Sequence, residues 1–172
     1  MADRERELRT RIAASPGDAE ALRELAELVG AGRGRKDEAV ELWSGYVHLA
    51  EPEDTAEALL ALGRAQVEAR RNDEAIRTLR RCAEDAPEFF PVFDLLGELL
   101  RQAGRLEEAV ETLQRAVELD ATAVRPRLAL VGCLDALDRP REAEATLAAV
   151  RALGSSDPAV LALVQELMRR RE

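Results

Sequence analysis

The chain has 172 residues, of which 47% are apolar, 34% charged and only 3% aromatic, and its formal net charge is −9. Ala, Leu, Glu and Arg are strong helix formers, whereas the aromatic residues that strands favour are scarce, so the composition excludes a sheet-rich fold. The acidic balance also argues against nonspecific nucleic-acid binding, which needs a basic surface to displace counterions from the phosphates.

Apolar residues at helical spacing, separated by Gly, Pro and polar turns, predict ten helices in chain order. The predicted ranges are 2–14, 18–30, 36–50, 54–69, 72–85, 89–103, 106–119, 123–137, 140–152 and 158–170. The last begins at Asp157-Pro158, a capping carboxylate followed by proline at the first helical position. The start lacks the apolar core of a signal peptide, and no apolar run approaches the roughly 18 residues of a membrane span, so we expect a soluble, cytoplasmic protein without membrane association.

The stretch between Gly30 and Trp43, GAGRGRKDEAVELW, allows two interpretations. A phosphate-binding loop would need Ser or Thr directly after Lys36 and a strand before Gly30. Asp37 follows the lysine instead, and the preceding residues have helical spacing. We therefore predict a turn between the second and third helices, where glycine readily takes the left-handed conformation.

One short motif recurs along the chain as EAVELW, EAIRTL, EAVETL and EAEATL. Its alanines are Ala39, Ala75, Ala109 and Ala143, of which the last three are evenly spaced. A constant period of about 34 residues indicates pairs of helices that bury their apolar faces by stacking on neighbouring pairs. Gly63 and Gly97 have the same spacing and predict a close approach of two helices, to which the alanines would contribute the small face.

These residues resemble the tetratricopeptide repeat, whose pattern is W-x2-L-G-x2-Y, then A-x3-F, then P. The repeat that matches best reads Phe93-x2-Leu96-Gly97-x2-Leu100, then Ala109-x3-Leu113. In the fourth repeat Arg127 and Val131 depart from the pattern, so its first helix is expected to be shifted or loosely packed.

The resemblance implies an all-α, right-handed α-solenoid of about four helix-turn-helix units with an extra half-unit helix at each end. The expected parts are an N-terminal half repeat (2–17), four repeats (18–53, 56–89, 90–123 and 124–157) and a C-terminal capping helix (158–171).

The resemblance also implies a binding surface, because the first helices of such repeats line a concave groove that receives a peptide or helix of a partner protein. By position, the groove would contain Arg23, Glu27, Glu57, Leu60, Arg64, Val67, Asp94, Glu98, Arg101, Arg125, Leu128 and Asp135. Family members that clamp acidic chaperone tails carry Lys and Asn at two of these positions in a repeat. Glu27, Asp94 and Glu98 would oppose a carboxylate here, so we expect no such clamp.

No constellation of catalytic residues, metal ligands or cofactor-binding residues is predicted, so the chain is not expected to be an enzyme. His48, the only histidine, lies near Trp43 and Tyr46 and could belong to a pocket, but a packing layer between repeats is the favoured interpretation. Cys82 and Cys133 form no CxxC pair and are expected to be buried core residues.

The favoured function is a non-enzymatic scaffold or adaptor that binds a partner protein in the groove. One alternative is a chaperone of the type III secretion kind, known from bacteria, because Leu130 to Glu144 is loosely similar to the last repeat of such chaperones. The other is self-assembly as a homodimer through the C-terminal helix, where Leu163 and Leu167 have no second helix to cover them. These leucines could equally cap the core of a monomer.

Overall fold

The computed structural model describes residues 2–32, 34–154 and 157–169. Across these residues the chain is all-helical, with ten helices and no strand. They are α1 (Ala2–Ala14), α2 (Ala19–Ala31), α3 (Lys36–Val47), α4 (Thr55–Glu68), α5 (Asn72–Asp85), α6 (Phe90–Gln102), α7 (Leu106–Leu119), α8 (Val124–Ala136), α9 (Pro140–Ala152) and α10 (Pro158–Arg169). Within these residues, no helix combines the length and apolar character that crossing a bilayer requires.

The predicted helix ends agree with the structure to within one residue, except at the end of α3. This helix stops at Val47, three residues before the predicted end. The N–H groups of Leu49 and Ala50 both donate to the Tyr46 carbonyl, which closes the last turn. Pro52 then disfavours a helical conformation for the residue before it, so the helix cannot continue.

Contacts divide the chain into two compact units, Met1–Pro87 and Glu88–Glu172. In the first unit α1 packs on α2, α2 on α3, α3 on α4 and α4 on α5. In the second unit α6 packs on α7, α7 on α8 and α8 on α9, while α6 also contacts α8. We call α2, α4, α6 and α8 the first helices and α3, α5, α7 and α9 the second helices of their repeats.

An aromatic pair lies in the core of the first unit. Trp43 and Tyr46 meet edge to face with ring centroids 5.8 Å apart. Tyr46 packs with Leu22 of α2 and Ala58 of α4, so the aromatic layer joins three successive helices. The packing interpretation of these two aromatics is therefore confirmed, whereas His48 is exposed and lies outside the cluster.

The close approach predicted at the repeated glycines is confirmed, but the contacting residue differs from the prediction. A Cβ on Gly63 would lie 2.7 Å from Cδ2 of Leu79, and one on Gly97 would lie 2.6 Å from Cδ2 of Leu113. These leucines follow the predicted alanines by one helical turn and project their whole side chains over the glycines. The glycines therefore make room for a leucine of the second helix, and at Gly97 the Leu113 backbone nitrogen also lies 3.5 Å from the added Cβ.

The first helix of the fourth repeat is neither shifted nor loose, contrary to the prediction. Val124 has the same position in its repeat as Phe90, the first residue of α6, and α8 begins at Val124. Both helices have 13 residues. Val131 is fully buried. Arg127 is 9% exposed and Nη1 donates to the Ala123 carbonyl at 2.8 Å. This hydrogen bond satisfies a buried cation at a position that is apolar in the other repeats.

The turns between first and second helices share one backbone conformation. A left-handed residue recurs at Gly34, Arg70, Gly104 and Asp138, with φ of 86°, 60°, 73° and 55°. In the last three turns the next N–H donates to a carbonyl five residues earlier, over 2.8 to 2.9 Å, which is the bond of a Schellman motif. The turn prediction for the glycine-rich stretch is thus confirmed, with Gly34 left-handed and Gly30 inside α2.

Candidate partner-binding face

The predicted groove residues all lie on first helices, and we call their surface the first-helix face. Most are accessible, namely Arg23, Glu27, Glu57, Arg64, Arg101, Arg125 and Asp135, and three are half-buried, namely Val67, Glu98 and Leu128. Two are buried: Leu60 is 6% exposed and Asp94 is 7% exposed. Leu60 was expected to be an apolar contact for a partner, but its side chain is packed inside the protein instead.

In the first unit, the exposed groove residues are all charged, namely Arg23, Glu27, Glu57 and Arg64. Arg23 and Glu27 are one turn apart on α2, with 3.7 Å between Nη1 and Oε1. Leu22, which precedes Arg23, and Ala58, which follows Glu57, both pack with Tyr46. The tyrosine therefore packs between α2 and α4, the two helices that carry these charged residues.

The electrostatics at Tyr46 reflect this neighbourhood. Burial raises the pKa of the Tyr46 hydroxyl, and the carboxylates of Asp54, Glu57 and Glu27 raise it further, while the Arg23 guanidinium lowers it.

In the second unit, a buried carboxylate joins the two first helices. Nη2 of Arg125 on α8 donates to Oδ2 of Asp94 on α6. The Asp94 side chain is only 10% exposed, whereas that of Arg125 is 80% exposed. Because an unpaired buried carboxylate is costly, this ion pair holds the exposed guanidinium in place at the surface of the face.

A second ion pair lies next to it on α6. Nε and Nη2 of Arg101 donate to the two oxygens of Glu98 at 2.8 and 2.7 Å, and Nε2 of Gln102 donates to Oε1 at 2.8 Å. These bonds, first those from Arg101, lower the pKa of Glu98, and the same contact raises the pKa of Arg101. The cations on this part of the face, Arg101 and Arg125, are therefore both paired with carboxylates.

Open space lies on α8 at Gly132. A Cβ built on Gly132 would meet no heavy atom within 4 Å, unlike one on Gly97 of α6. Leu128 is half-buried one helical turn before it. A side chain at position 132 would thus extend into open space, one turn after an apolar side chain, and we call this open space the hollow at Gly132.

Reasoning from the sequence missed the role of Tyr46, although a signal was present. Its register position holds Cys82, Ala116 and Val150 in the later repeats, and all of these are smaller. A tyrosine at a position otherwise occupied by small residues extends further, and here it packs with Leu22 of α2 and Ala58 of α4.

The predicted self-association residues of α10 differ in exposure. Leu163 is 41% exposed and Leu161 is 47% exposed. Leu167, by contrast, is 7% exposed and buried like Val164. Leu167 is thus covered within the chain, on the same helix face as Val164, which agrees with the core-capping role rather than with self-association.

The side chains that could bind metal are dispersed. Among the described residues, no group of three or more His, Cys, Asp or Glu side chains is arranged to hold a metal ion. Cys82 and Cys133 are free and buried, as predicted, and burial raises the pKa of the Cys82 thiol to about 11. A thiol with so high a pKa is a poor nucleophile near neutral pH.

Solved structures with the same fold differ widely from this chain in sequence. MamA from Desulfovibrio magneticus RS-1 superposes with a TM-score of 0.75 at 21% identity, covering 90% of this chain and 85% of that chain. YrrB, described as a tetratricopeptide repeat protein with an unusual peptide-binding site, gives 0.73 at 21% identity, covering 95% and 83%. The Yersinia enterocolitica type III secretion chaperone SycD, in complex with a peptide of the translocator YopD, gives 0.61 at 19% identity, covering 69% and 96%.

Comparison with curated proteins finds no match to the sequence. Family models of the tetratricopeptide repeat do match it, one over residues 30–88 and 60–124 and another over residues 100–167. These matches span most of the chain and coincide with the helix pairs seen in the structure. The chain belongs to the tetratricopeptide repeat family.

Proposed function

We propose that the protein is a non-enzymatic scaffold or adaptor that binds a peptide or helix of a partner protein on its first-helix face. Repeats of this family generally serve as interaction modules, and YrrB and SycD are both described with peptides. The observation that carries the proposal is the hollow at Gly132, with half-buried Leu128 on one side and ion-paired side chains nearby.

This surface suits a protein segment better than a small substrate. An apolar side chain of the partner can occupy the hollow and cover Leu128, while its polar groups meet the Glu98–Arg101 and Asp94–Arg125 pairs. A small apolar contact surrounded by charged residues is the usual composition of a transient protein interface.

The test is affinity capture of partner proteins from a lysate of the source organism, with the unmodified chain and with Gly132→Gln. Glutamine is uncharged and long enough to occupy the hollow, and it favours the helix more than glycine does. We expect capture of the specific partner to fall at least about fivefold, since a central contact is lost.

Ala148→Gln is the matched control. Ala148 is exposed on α9, the second helix of the same repeat, so the change adds the same side chain outside the first-helix face. Capture should then equal that of the unmodified chain. Equal capture by all three proteins, with unchanged melting temperatures, would contradict the proposed site.

A secretion chaperone is a narrower form of this function. It is favoured by the SycD fold, since 96% of the SycD chain aligns here, although that alignment covers only 69% of this chain. This alternative requires the captured partner to be a secreted protein that precipitates when expressed without the chain. A partner that is stable alone and stays inside the cell would exclude it.

Self-association through α10 is a second alternative, now based on the exposed Leu161 and Leu163 rather than on Leu167. Size-exclusion chromatography with light scattering tests it. A dimer that becomes a monomer on Leu163→Glu would support it, and a monomer before the change would exclude it.

A further inference from the structure

Asp94 on α6 is a buried carboxylate whose ion-pair partner lies at the surface. Its side chain is 10% exposed and that of Arg125 is 80% exposed, and Nη2 of Arg125 donates to Oδ2 of Asp94. The same register position holds Leu60 and Leu128 in the neighbouring repeats, so the fold does not require a carboxylate there. Replacing a buried ion pair by apolar residues is often neutral or stabilising, so stability does not account for Asp94.

The ion pair fixes the direction of the Arg125 side chain. A guanidinium has five N–H donors, of which Asp94 uses one. Within the described part of the chain, this guanidinium makes no other hydrogen bond. Ordering a flexible side chain on binding costs conformational entropy, and a side chain that is already held loses less. Arg125 is therefore an oriented hydrogen-bond donor at the surface.

Arg125 lies on the same face of α8 as the hollow at Gly132. Arg125, Leu128 and Gly132 are three and four residues apart, which places them in one row along the helix. Seven residues of helix span about 10.5 Å, and an extended peptide covers that length in about three residues. One extended segment can thus reach both Arg125 and the hollow while it passes over Leu128.

The charges near Arg125 favour a neutral acceptor. Asp94 and Glu98 are already paired with Arg125 and Arg101, so the two pairs together carry no net charge. A carboxylate of the partner would approach both of these carboxylates, on a chain whose net charge is −9. A carbonyl oxygen avoids this repulsion. Because the main-chain carbonyls of a helix are bonded within the helix, a free one comes from an extended segment.

We propose that Asp94 orients Arg125 to donate to a main-chain carbonyl of an extended partner segment, whose apolar side chain enters the hollow at Gly132. This inference rests on the proposed function and specifies the conformation and the charge of the bound segment. A hydrogen bond from an ionised donor is about twice as strong as a neutral one, so Arg125 can anchor the main chain of the segment. Asp94 is a positioning residue, since it acts on the segment through Arg125.

The probe is a phage-displayed library of random peptides of about 12 residues, long enough to span roughly 40 Å when extended. It is selected on the whole chain. We expect the selected peptides to share an apolar residue and to lack Asp and Glu within about three residues of it. The tightest peptide is then synthesised with its amide bonds replaced by esters, one at a time, because an ester carbonyl is a weaker hydrogen-bond acceptor. One ester, about three residues from the apolar residue, should weaken binding.

Variants separate positioning from stability. Asp94→Leu leaves Arg125 in place and introduces the residue of the neighbouring repeats, so the melting temperature should be unchanged or higher. Binding of the synthesised peptide should nevertheless weaken about fivefold, because the peptide must then order Arg125 itself. In the double variant Asp94→Leu with Arg125→Met, binding should weaken about tenfold, and the ester should have no further effect. The control is Arg141→Met, which should leave binding unchanged, because Arg141 is exposed on α9 of the same repeat.

Equal binding by the unmodified chain and by Asp94→Leu would overturn the positioning, and so would weaker binding that accompanies a lower melting temperature. Selection of no peptide, or of peptides with a shared Asp or Glu beside the apolar residue, would overturn the neutral extended segment. Equal weakening by the double variant and by Arg141→Met would mean a general effect of charge and would also overturn it. The proposed function is decided separately, by the capture experiment with Gly132→Gln, which leaves Asp94 and Arg125 intact.

Discussion

At the scale of single residues, the glycines inside the first helices lie in two different structural environments. At Gly97 a Cβ would lie 2.6 Å from Leu113, a fully buried side chain that has no room to move. At Gly132 the same atom would enter open space. Replacing glycine by alanine gains about 1 kcal/mol of helix propensity at both positions. The difference between the two variants in unfolding free energy therefore measures the steric contact with Leu113 alone.

We therefore expect Gly97→Ala to destabilise the protein by about 1–2 kcal/mol, because overpacking outweighs the propensity gain. Gly132→Ala should stabilise it by roughly 0.5–1 kcal/mol. Urea denaturation followed by circular dichroism measures both. Changes in unfolding free energy of the same sign for the two variants would show that Leu113 does not exclude a side chain at position 97.

The left-handed turn residues allow a second residue-level prediction. Arg70 has φ of 60° and is exposed, and the left-handed conformation costs a non-glycine residue roughly 1–2 kcal/mol. Arg70→Gly should therefore raise the melting temperature. Arg77→Gly, an exposed position inside α5, should lower it, because glycine weakens a helix interior by about 1 kcal/mol. A lower melting temperature for Arg70→Gly would show that the left-handed backbone of Arg70 is not strained.

At the scale of the helices, an arginine directly precedes each second helix, and in the first unit this arginine links neighbouring helices. Nη2 of Arg71 donates to Oδ1 of Asp37 at 2.6 Å, which joins α5 to α3. Nη1 of Arg35 donates to Oε1 of Glu5 at 2.6 Å, which joins α3 to α1. Arg105 and Arg139 occupy the same register position and pair with a glutamate three residues later. An arginine therefore recurs at a fixed position in all four repeats, and the motif centred on the alanines did not include it.

These pairs give the stability a defined pH dependence. Hydrogen bonds from Arg35, and next from Arg9, lower the pKa of Glu5 from its ordinary 4.5 to about 2. A lowered pKa in the folded state means that the stabilisation is present above the ordinary value and is lost as the pH falls towards 2. Glu5→Gln should therefore lower the melting temperature near pH 7 and have no effect below about pH 2.

Glu53→Gln is the control for this titration. Glu53 is exposed and forms no ion pair with a described residue, so its change should leave the melting temperature unaltered at either pH. An effect of Glu5→Gln that persists equally at acid pH would mean that the glutamine disturbs packing rather than an ion pair.

Periodicity predicted the helices well because each one buries the same face in every repeat. It also predicted the close approach at Gly63 and Gly97, since both glycines recur in register with the alanine motif. It could not predict which side chain covers each glycine, because alanine and leucine one turn apart lie on the same face of the second helix. The repeat pattern gives the face of the helix on which a residue lies but not its exposure, so it did not predict that Leu60 and Leu167 are buried.

At the scale of the whole molecule, the first helices of each unit differ in surface from the second helices. The second helices present mainly exposed charged residues and alanines. In the first unit the first helices carry the exposed Arg23, Glu57 and Arg64, and in the second unit they carry Leu128 and the hollow at Gly132. The central claim is the proposal that a partner protein binds the first helices rather than the second helices, at positions such as Arg64 and Gly132 that are equivalent in the repeat.

Site-specific photo-crosslinking tests this claim most directly. A benzophenone side chain is placed at Arg64 or Gly132 on first helices, and in matched chains at Arg77 or Ala148 on second helices, all of them accessible to solvent at least in part. After irradiation with lysate, mass spectrometry identifies the crosslinked peptides. The account predicts one common partner protein, crosslinked from positions 64 and 132 but not from 77 or 148. The same partner crosslinked only from positions 77 and 148 would contradict it.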